Sequence, residues 1–352
     1  MAAQPIKGFL LTRNWRDGRD GVELEYWWAT DQGPLRTTVH GERAVFFLRE
    51  GELALAQPGL QRERGIELKP VQLRAFDMSP VQGLYFPGYR QARQCADRLR
   101  ELGCEPLEAD INPAERYLME RFITGSAELA GEIDSRGQYL AMTQPAIRSA
   151  SYRPPLKVVS FDIETALQGV QLYSIGLHAV APDGAEERRV FMLGDGASQD
   201  YVVSCQSQAE VLQAFLVWLR DYDPDVLIGW NVVNFDAWYL QRVADQLGIE
   251  LSLGREQRPV HWRELDEDGE RRTAQLPGRV LLDGIELLRA AFYRFESFSL
   301  ENVSRQLLGE GKLLQGSERG REITELFQTD KTSLAAYNLK DCELVSDIFA
   351  HT

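Results

Sequence analysis

Cysteine and histidine are scarce, basic charge is in deficit, and long apolar runs are missing. The 352 residues include four cysteines, Cys95, Cys104, Cys205 and Cys342, and four histidines, His40, His178, His261 and His351. The cysteines form no C-x-x-C pair and have no partner histidines at zinc spacing, which excludes a zinc ribbon or a disulfide framework and reads as reduced thiols in a cytosolic protein. No segment approaches the roughly 18–20 apolar residues of a membrane span, and the opening MAAQPIKGFLLTR has no basic head followed by a long apolar run. Lys and Arg number 39 against 53 Asp and Glu, a formal charge of −14. That balance excludes a protein that coats nucleic acid through bulk positive charge. It leaves open a local engagement of phosphates, because carboxylates that hold cations are neutralised where they act.

What is present suits two domains, each with enough apolar content for a core. Residues 8 to about 85 read as β-rich: VELEYWWA alternates Val22, Leu24, Tyr26 and Trp28, ATDQGP forms a turn, and AVFFL follows, which predicts an antiparallel sheet with one buried face. In GYRQARQCADRLRELG, Ala92, Cys95, Ala96, Leu99 and Leu102 share a helical face with Gly103 as C-terminal cap. NPAERYLMERF writes a second helix start, with Asn112 as cap and Pro113 at the first helical position. Around QPAIRSASYRPPLK the periodicity stops, and the prolines mark a linker that places the domain boundary near residue 150. From there apolar strands alternate with amphipathic helices, the texture of an α/β domain spanning residues 150–352 behind an N-terminal β-rich α+β domain of residues 1–149.

Three acidic fragments stand out in the second part. Asp162 and Glu164, in VVSFDIET, alternate on a strand and so share a face, with α-carbons roughly 6–7 Å apart. Two carboxylates at that spacing can hold one hard cation, and an uncompensated charge at the end of so apolar a run would be costly. Asp236, in GWNVVNFD, sits at the first turn of a helix, where an acid is also favoured by the helix N-terminus alone. Asn231 is a turn residue or a polar substrate contact. Tyr337 and Asp341, in YNLKDCELV, are four apart on a helix and stack on one face. A tyrosine so placed can orient a water near a bound metal; its bland alternative is a core tyrosine beside a solvent-facing aspartate.

Together the fragments resemble the Exo I, Exo II and Exo III motifs of the DEDD exonuclease superfamily, D-x-E, N-x-x-x-F-D and Y-x-x-x-D. The histidine-bearing branch would carry His five residues before the last aspartate, where this chain has Ala336, so the resemblance is to the tyrosine-bearing branch. FDIET, PDVLIGWN, SFSLENVSRQLLGEGK and YNLKDCELV, with the upstream GFLLTRNWRD, ERYLMERFIT and YRPPLK, are similar to family B DNA polymerases, closest to the bacterial polymerase II branch. The resemblance covers the whole chain but only the front of such a polymerase. The palm motifs D-x-x-S-L-Y-P-S and Y-G-D-T-D are absent, and the chain is expected to be a fragment without palm, fingers or thumb.

The resemblance implies a ribonuclease-H-like α/β exonuclease that proofreads DNA in replication and repair by hydrolysing 3′-terminal phosphodiester bonds with two divalent ions. It implies that Asp162 bridges the two ions, Glu164 and Asp341 hold the one that activates water, Asp236 positions the second, and Tyr337 aims the water. Oxygen ligands without a thiolate or imidazole set point to Mg²⁺ or Mn²⁺. The partner implied is DNA with a single-stranded 3′ end, together with the remaining polymerase domains, in the bacterial cytoplasm. Phe161, Phe235 and Trp230 are candidates to stack on bases, and Arg271 and Arg272, in EDGERRTAQLPG, to touch phosphate. Two other readings compete: a non-catalytic DNA-binding or scaffolding fragment, which the complete set of four acids with Tyr337 argues against, and a free-standing DEDD exonuclease, which the large N-terminal part argues against.

Overall fold

Alternation along the first long strands sets the architecture of the N-terminal part. The computed structural model describes residues 4–266, 269, 271–311 and 319–352. Glu267, Asp268 and Glu270 of the EDGERRTAQLPG loop, and Lys312 of SFSLENVSRQLLGEGK, lie outside the described residues. The chain divides into two units, one ending at Pro154 and the other running Pro155–Thr352.

The first unit contains β1 (Ile6–Asp17), β2 (Val22–Thr30), β3 (Gly33–Glu42), β4 (Ala44–Arg49), α1 (Leu53–Leu60), β5 (Glu67–Arg74), β6 (Pro80–Phe86), α2 (Tyr89–Glu101), α3 (Pro113–Met119), β7 (Ser126–Ala130), β8 (Asp134–Ser135), β9 (Leu140–Thr143) and β10 (Ala146–Ser149). A seven-stranded sheet runs β10-β7-β1-β2-β3-β9-β8 and a three-stranded one β4-β6-β5. Val22, Leu24, Tyr26 and Trp28 are buried as the alternation predicts, in one core with Cys95, Leu99 and Tyr117 from α2 and α3. The expectation of a single one-faced sheet fails in two places. Trp27, on the opposite face of β2, is also buried, its ring 5.0 Å from that of Tyr139. In β4 both faces are covered, Phe46 by the main core and Val45 and Phe47 by a small cluster with Val81. Asn112 caps α3 as read, accepting from Glu115 N at 3.0 Å, and Gly103 takes the left-handed φ of 85° that ends α2. Leu102, expected in the core, is instead partly exposed at the cap. Part of the expected linker is strand: β10 pairs antiparallel with β7.

The second unit runs β11 (Val158–Thr165), β12 (Leu172–Val180), β13 (Glu186–Leu193), β14 (Val202–Cys205), α4 (Gln208–Tyr222), β15 (Val226–Gly229), α5 (Asp236–Leu247), β16 (His261–Glu264), β17 (Arg272–Gln275), β18 (Val280–Asp283), α6 (Gly284–Ala290), α7 (Leu300–Leu308), α8 (Arg319–Thr329) and α9 (Lys331–His351). Its six-stranded sheet has the order β14-β13-β12-β11-β15-β18. β11 is antiparallel to β12 and parallel to β15, which is parallel to β18. Both faces are covered, as the near-continuous apolar strands require. On one face Val159, Phe161 and Ile163 pack against Phe215 of α4 and Leu240 of α5; on the other, Tyr173, Val190 and Met192 meet Leu334 and Tyr337 of α9, and Val226 and Ile228 meet Val303 of α7 and Leu344 of α9.

Next to the amino ends of β15 and β18 lies a buried ionic cluster. Arg255 donates to Asp223 Oδ1 at 2.9 Å and to Asp225 Oδ1 at 2.8 Å, while Arg279 donates to the same Asp223 oxygen at 2.7 Å. Asp223 ends α4 in the left-handed conformation, φ 51°, which turns its side chain toward both guanidiniums.

Candidate active site

The three parallel strands β11, β15 and β18 deliver their carboxyl ends to one place, the usual location of a site in such a sheet. Asp162 and Glu164 lie in the last half of β11, Asn231 and Asp236 follow β15, and Asp283 ends β18. The pairing of β11 with β15 stops at Ser160↔Ile228. Beyond it the Ile163 N–H donates to Asp236 Oδ1 at 3.1 Å, so the first residue of α5 is fastened to the strand that carries the other acids. Asp283 caps α6 by accepting from Ile285 N at 3.0 Å, and also accepts from Val233 N at 3.4 Å, which fixes the turn between β15 and α5.

Alternation puts Asp162 and Glu164 on the α9 side of β11, and α9 supplies Tyr337, Asn338 and Asp341. One oxygen each of Asp162, Glu164 and Asp341 lies within 4.8 Å of the others. Glu164, Asp236 and Asp341 are buried and Asp162 is half-buried. Burial, and then the neighbouring Asp162 charge, push the Asp236 carboxyl well above the ordinary aspartate range. The Cys342 thiol is pushed up likewise, first by burial and then by Asp162, Asp341, Asp236 and Glu164 in turn. A concentration of buried like charge of this kind marks a functional site more often than a structural one. Asp162, Glu164 and Asp341 offer hard carboxylate oxygens, the set that suits a divalent cation of the magnesium type and not zinc.

A cleft of about 550 Å³ opens on the three acids, lined also by Tyr337, Phe235, Trp238 and Arg242. Phe235 is 48% exposed. Asp162 also borders a second hollow of about 530 Å³, lined by Trp230, Asn231, Asn234, Arg271, Arg289 and Phe298. Trp230 is held there by a 2.9 Å hydrogen bond to the Phe298 carbonyl, and Asn231 adopts a left-handed φ of 59° at the turn. Arg272 lies over the Trp238 ring at 4.3 Å.

One expected contact is wrong. Phe161 is 1% exposed and its ring sits 5.8 Å from that of Phe215 in the core between β11 and α4. The same alternation that brings Asp162 and Glu164 to the cleft sends Phe161 to the opposite face, where no base can reach it. Sequence reasoning also missed Asn338, 0% exposed, whose amide Nδ2 donates to Asp162 Oδ2 at 2.9 Å. A buried asparagine in mid-helix, between two motif residues, is the signal that could have found it, because asparagine disfavours helix interiors and needs partners when buried.

The family model for the exonuclease domain of DNA polymerase family B matches residues 104–303, more than half of the 352-residue chain. The chain belongs to DNA polymerase family B. Residues 8–42 match the model of the N-terminal part of DNA polymerase II, and residues 44–104 that of its insertion domain. DNA polymerase II of Escherichia coli K12 is 44% identical over 351 residues, which are 98% of this chain and 44% of that protein. A DNA polymerase of Pyrococcus glycovorans is 26% identical over 272 residues, 76% of this chain and 31% of its own. The family B DNA polymerase of Pyrobaculum calidifontis has the same fold, with a TM-score of 0.76 at 19% identity, over 98% of this chain and 45% of that one. The chain thus spans less than half the length of these relatives. Its second unit has the ribonuclease-H-like α/β architecture of the family's exonuclease domain, and the acid cluster suits the divalent metal that such a domain uses. No helix among the described residues is long and apolar enough to cross a membrane.

Proposed function

We propose that this chain is the 3′-to-5′ proofreading module of a polymerase II-like enzyme, acting on DNA with a single-stranded 3′ end in the bacterial cytoplasm during replication and repair. The observation that carries the reading is the meeting of Asp162, Glu164 and Asp341, from a strand and a distant helix, within 4.8 Å of one another at an open cleft. These three, with Asp236 beside them, would hold two Mg²⁺ or Mn²⁺ ions. Bound there, the ions supply Lewis-acid stabilisation of charge at phosphorus and lower the pKa of water.

The protein's own side chains do the rest. Tyr337, which lines the cleft, holds the attacking water in line through its phenol oxygen. Phe235, partly exposed on the cleft wall, stacks against the terminal base, a contact of roughly 1–3 kcal/mol that tolerates any sequence. Asn231 and Arg271, across Asp162, meet the strand on its other side. Asp236 is shielded by burial and tied to the Ile163 N–H, so it steadies the geometry of the strand end as well as contributing charge. The polymerase site, and any processivity partner, belong to domains outside this chain.

Incubating the chain with 3′ single-stranded DNA and Mg²⁺ is expected to release nucleoside monophosphates, while the Asp162→Ala/Glu164→Ala protein, folded by circular dichroism, releases none. Robust hydrolysis by the double variant would remove these acids from the reaction. Templated primer extension by the pure chain would refute the assignment of the polymerase site to other domains.

A further inference from the structure

We propose that Asn338 is a positioning residue for the Asp162 carboxylate, oriented by Ser174 and accommodated by Gly176, three residues that together set how the site presents its central acid to metal. The inference rests on reading Asp162 as a metal ligand.

Asn338 stands on α9 one residue after Tyr337 and three before Asp341, so it reaches the sheet beside both. Its side chain is fully buried. Ser174 Oγ donates to Asn338 Oδ1 at 2.9 Å, and Asn338 Nδ2 donates to Asp162 Oδ2 at 2.9 Å. Chemistry decides which way the amide faces: an ionised carboxylate only accepts, so the nitrogen end must meet Asp162 and the oxygen end is left for the hydroxyl. The resulting hydrogen bond to Asp162 is charge-assisted, stronger than a neutral one. It holds one carboxylate oxygen and so limits rotation of the group.

The strand register explains why space exists for this amide. Across β11 and β12, Glu164 is paired with Ser174 and Asp162 with Gly176. A Cβ on Gly176 would lie 2.8 Å from both Cγ and Oδ1 of Asn338, closer than real Cβ contacts come. Gly176 has no left-handed φ that would itself demand glycine. Its hydrogen side chain is therefore required by the amide, and the two cross-strand partners of the two acids are given over to seating Asn338. A residue that merely tied α9 to β12 would need the Ser174 bond alone; the second bond, to an acid at the cleft, is what points to orientation of a ligand. Groups that orient metal ligands typically change affinity or activity by 10- to 100-fold when removed.

The test is a Mn²⁺ titration of the full chain followed by electron paramagnetic resonance, with thermal unfolding in EDTA alongside. Asn338→Leu, close in volume and without a donor, is expected to weaken Mn²⁺ binding about 10-fold or more, and Ser174→Ala to weaken it in the same direction, with unfolding midpoints in EDTA close to wild type. Ser174→Ala decides the question if Asn338→Leu fails to fold. Mn²⁺ affinities within twofold of wild type for Asn338→Leu and Ser174→Ala would overturn the proposal while leaving the metal reading intact. A loss of affinity that only follows a fall in the EDTA midpoint would overturn it too, as a packing effect. A wild-type chain that binds no Mn²⁺ would instead remove the metal reading, and this inference with it.

Discussion

Two buried charged clusters lie in the same unit and follow opposite rules. At the far end of α4, Arg255 and Arg279 face Asp223 and Asp225 at 2.7–2.9 Å, and backbone carbonyls of Gly278 and Leu253 take further guanidinium hydrogens at 2.6 and 2.8 Å. Opposite signs are matched, yet burial outweighs the neighbouring Asp223 and lowers the Arg279 value to about 10. At the carboxyl end of β11 four acids gather, Asp162, Glu164, Asp236 and Asp341. The Ile163 N–H donates to Asp236 and the Asn338 amide to Asp162, both from neutral groups. Matched clusters hold a fold together once formed, and breaking one partner exposes the other's desolvation. A one-sign cluster is a cost the fold carries until cations arrive, and its placement beside a cleft is the mark of use.

The largest way to separate the two clusters is by activity. Asp162→Ala/Glu164→Ala is expected to lower 3′-end hydrolysis by about 10³-fold or more, on the scale reached when central charge-stabilising groups are removed, without lowering the urea midpoint measured in EDTA. Arg279→Ala should do the reverse. Leaving Asp223 buried against a reduced partner set is expected to cost about 3–5 kcal/mol in urea unfolding, with Mn²⁺ affinity unchanged in the folded protein. A smaller effect is ligand-linked: saturating Mn²⁺ at about 100 times its Kd stabilises wild type by about 2.7 kcal/mol, and the double alanine variant should lose that increment.

The smallest effect is on pH. In EDTA the folded Asp236 carboxyl titrates above its unfolded value of 3.8. Between those two values the folded form holds the proton that the unfolded form has lost, so the Asp236 contribution is fully present below about pH 3.8 and is lost as pH rises through the folded value. Asp236→Asn cannot titrate, so the stability difference between wild type and this variant should shrink with rising pH in EDTA. A difference that stays flat from pH 4 to 8 would show that burial at Asp236 is not as described.

Much of this contrast was legible in the sequence. The acids of VVSFDIET, GWNVVNFD and YNLKDCELV announce themselves because charge at the end of an apolar strand, or four residues from a tyrosine on a helix, follows simple periodicities. The same periodicity, applied one residue earlier, would have sent Phe161 to the other face. The matched cluster was invisible, because Asp223 and Asp225 flank one turn while Arg255 begins a single 3-10 turn and Arg279 lies just before β18, and only tertiary packing brings them together. Asn338 was hidden differently. Its role depends on Ser174 and Gly176, whose position opposite Glu164 and Asp162 is set by strand register, a property of pairing that no single segment encodes. In the first unit, Trp27 was missed for a related reason: its cover, Tyr139, comes from a segment more than a hundred residues away.

The central claim is that the one-sign cluster receives divalent cations. Crystals of the wild-type chain soaked in Mn²⁺ and measured at a wavelength where manganese scatters anomalously test it most directly. Anomalous peaks among the carboxylates of Asp162, Glu164 and Asp341 are the predicted result, with no peak at the cluster of Arg255, Arg279, Asp223 and Asp225. A map with no peak at the three acids, under concentrations that saturate Mn²⁺ binding in solution, would contradict it.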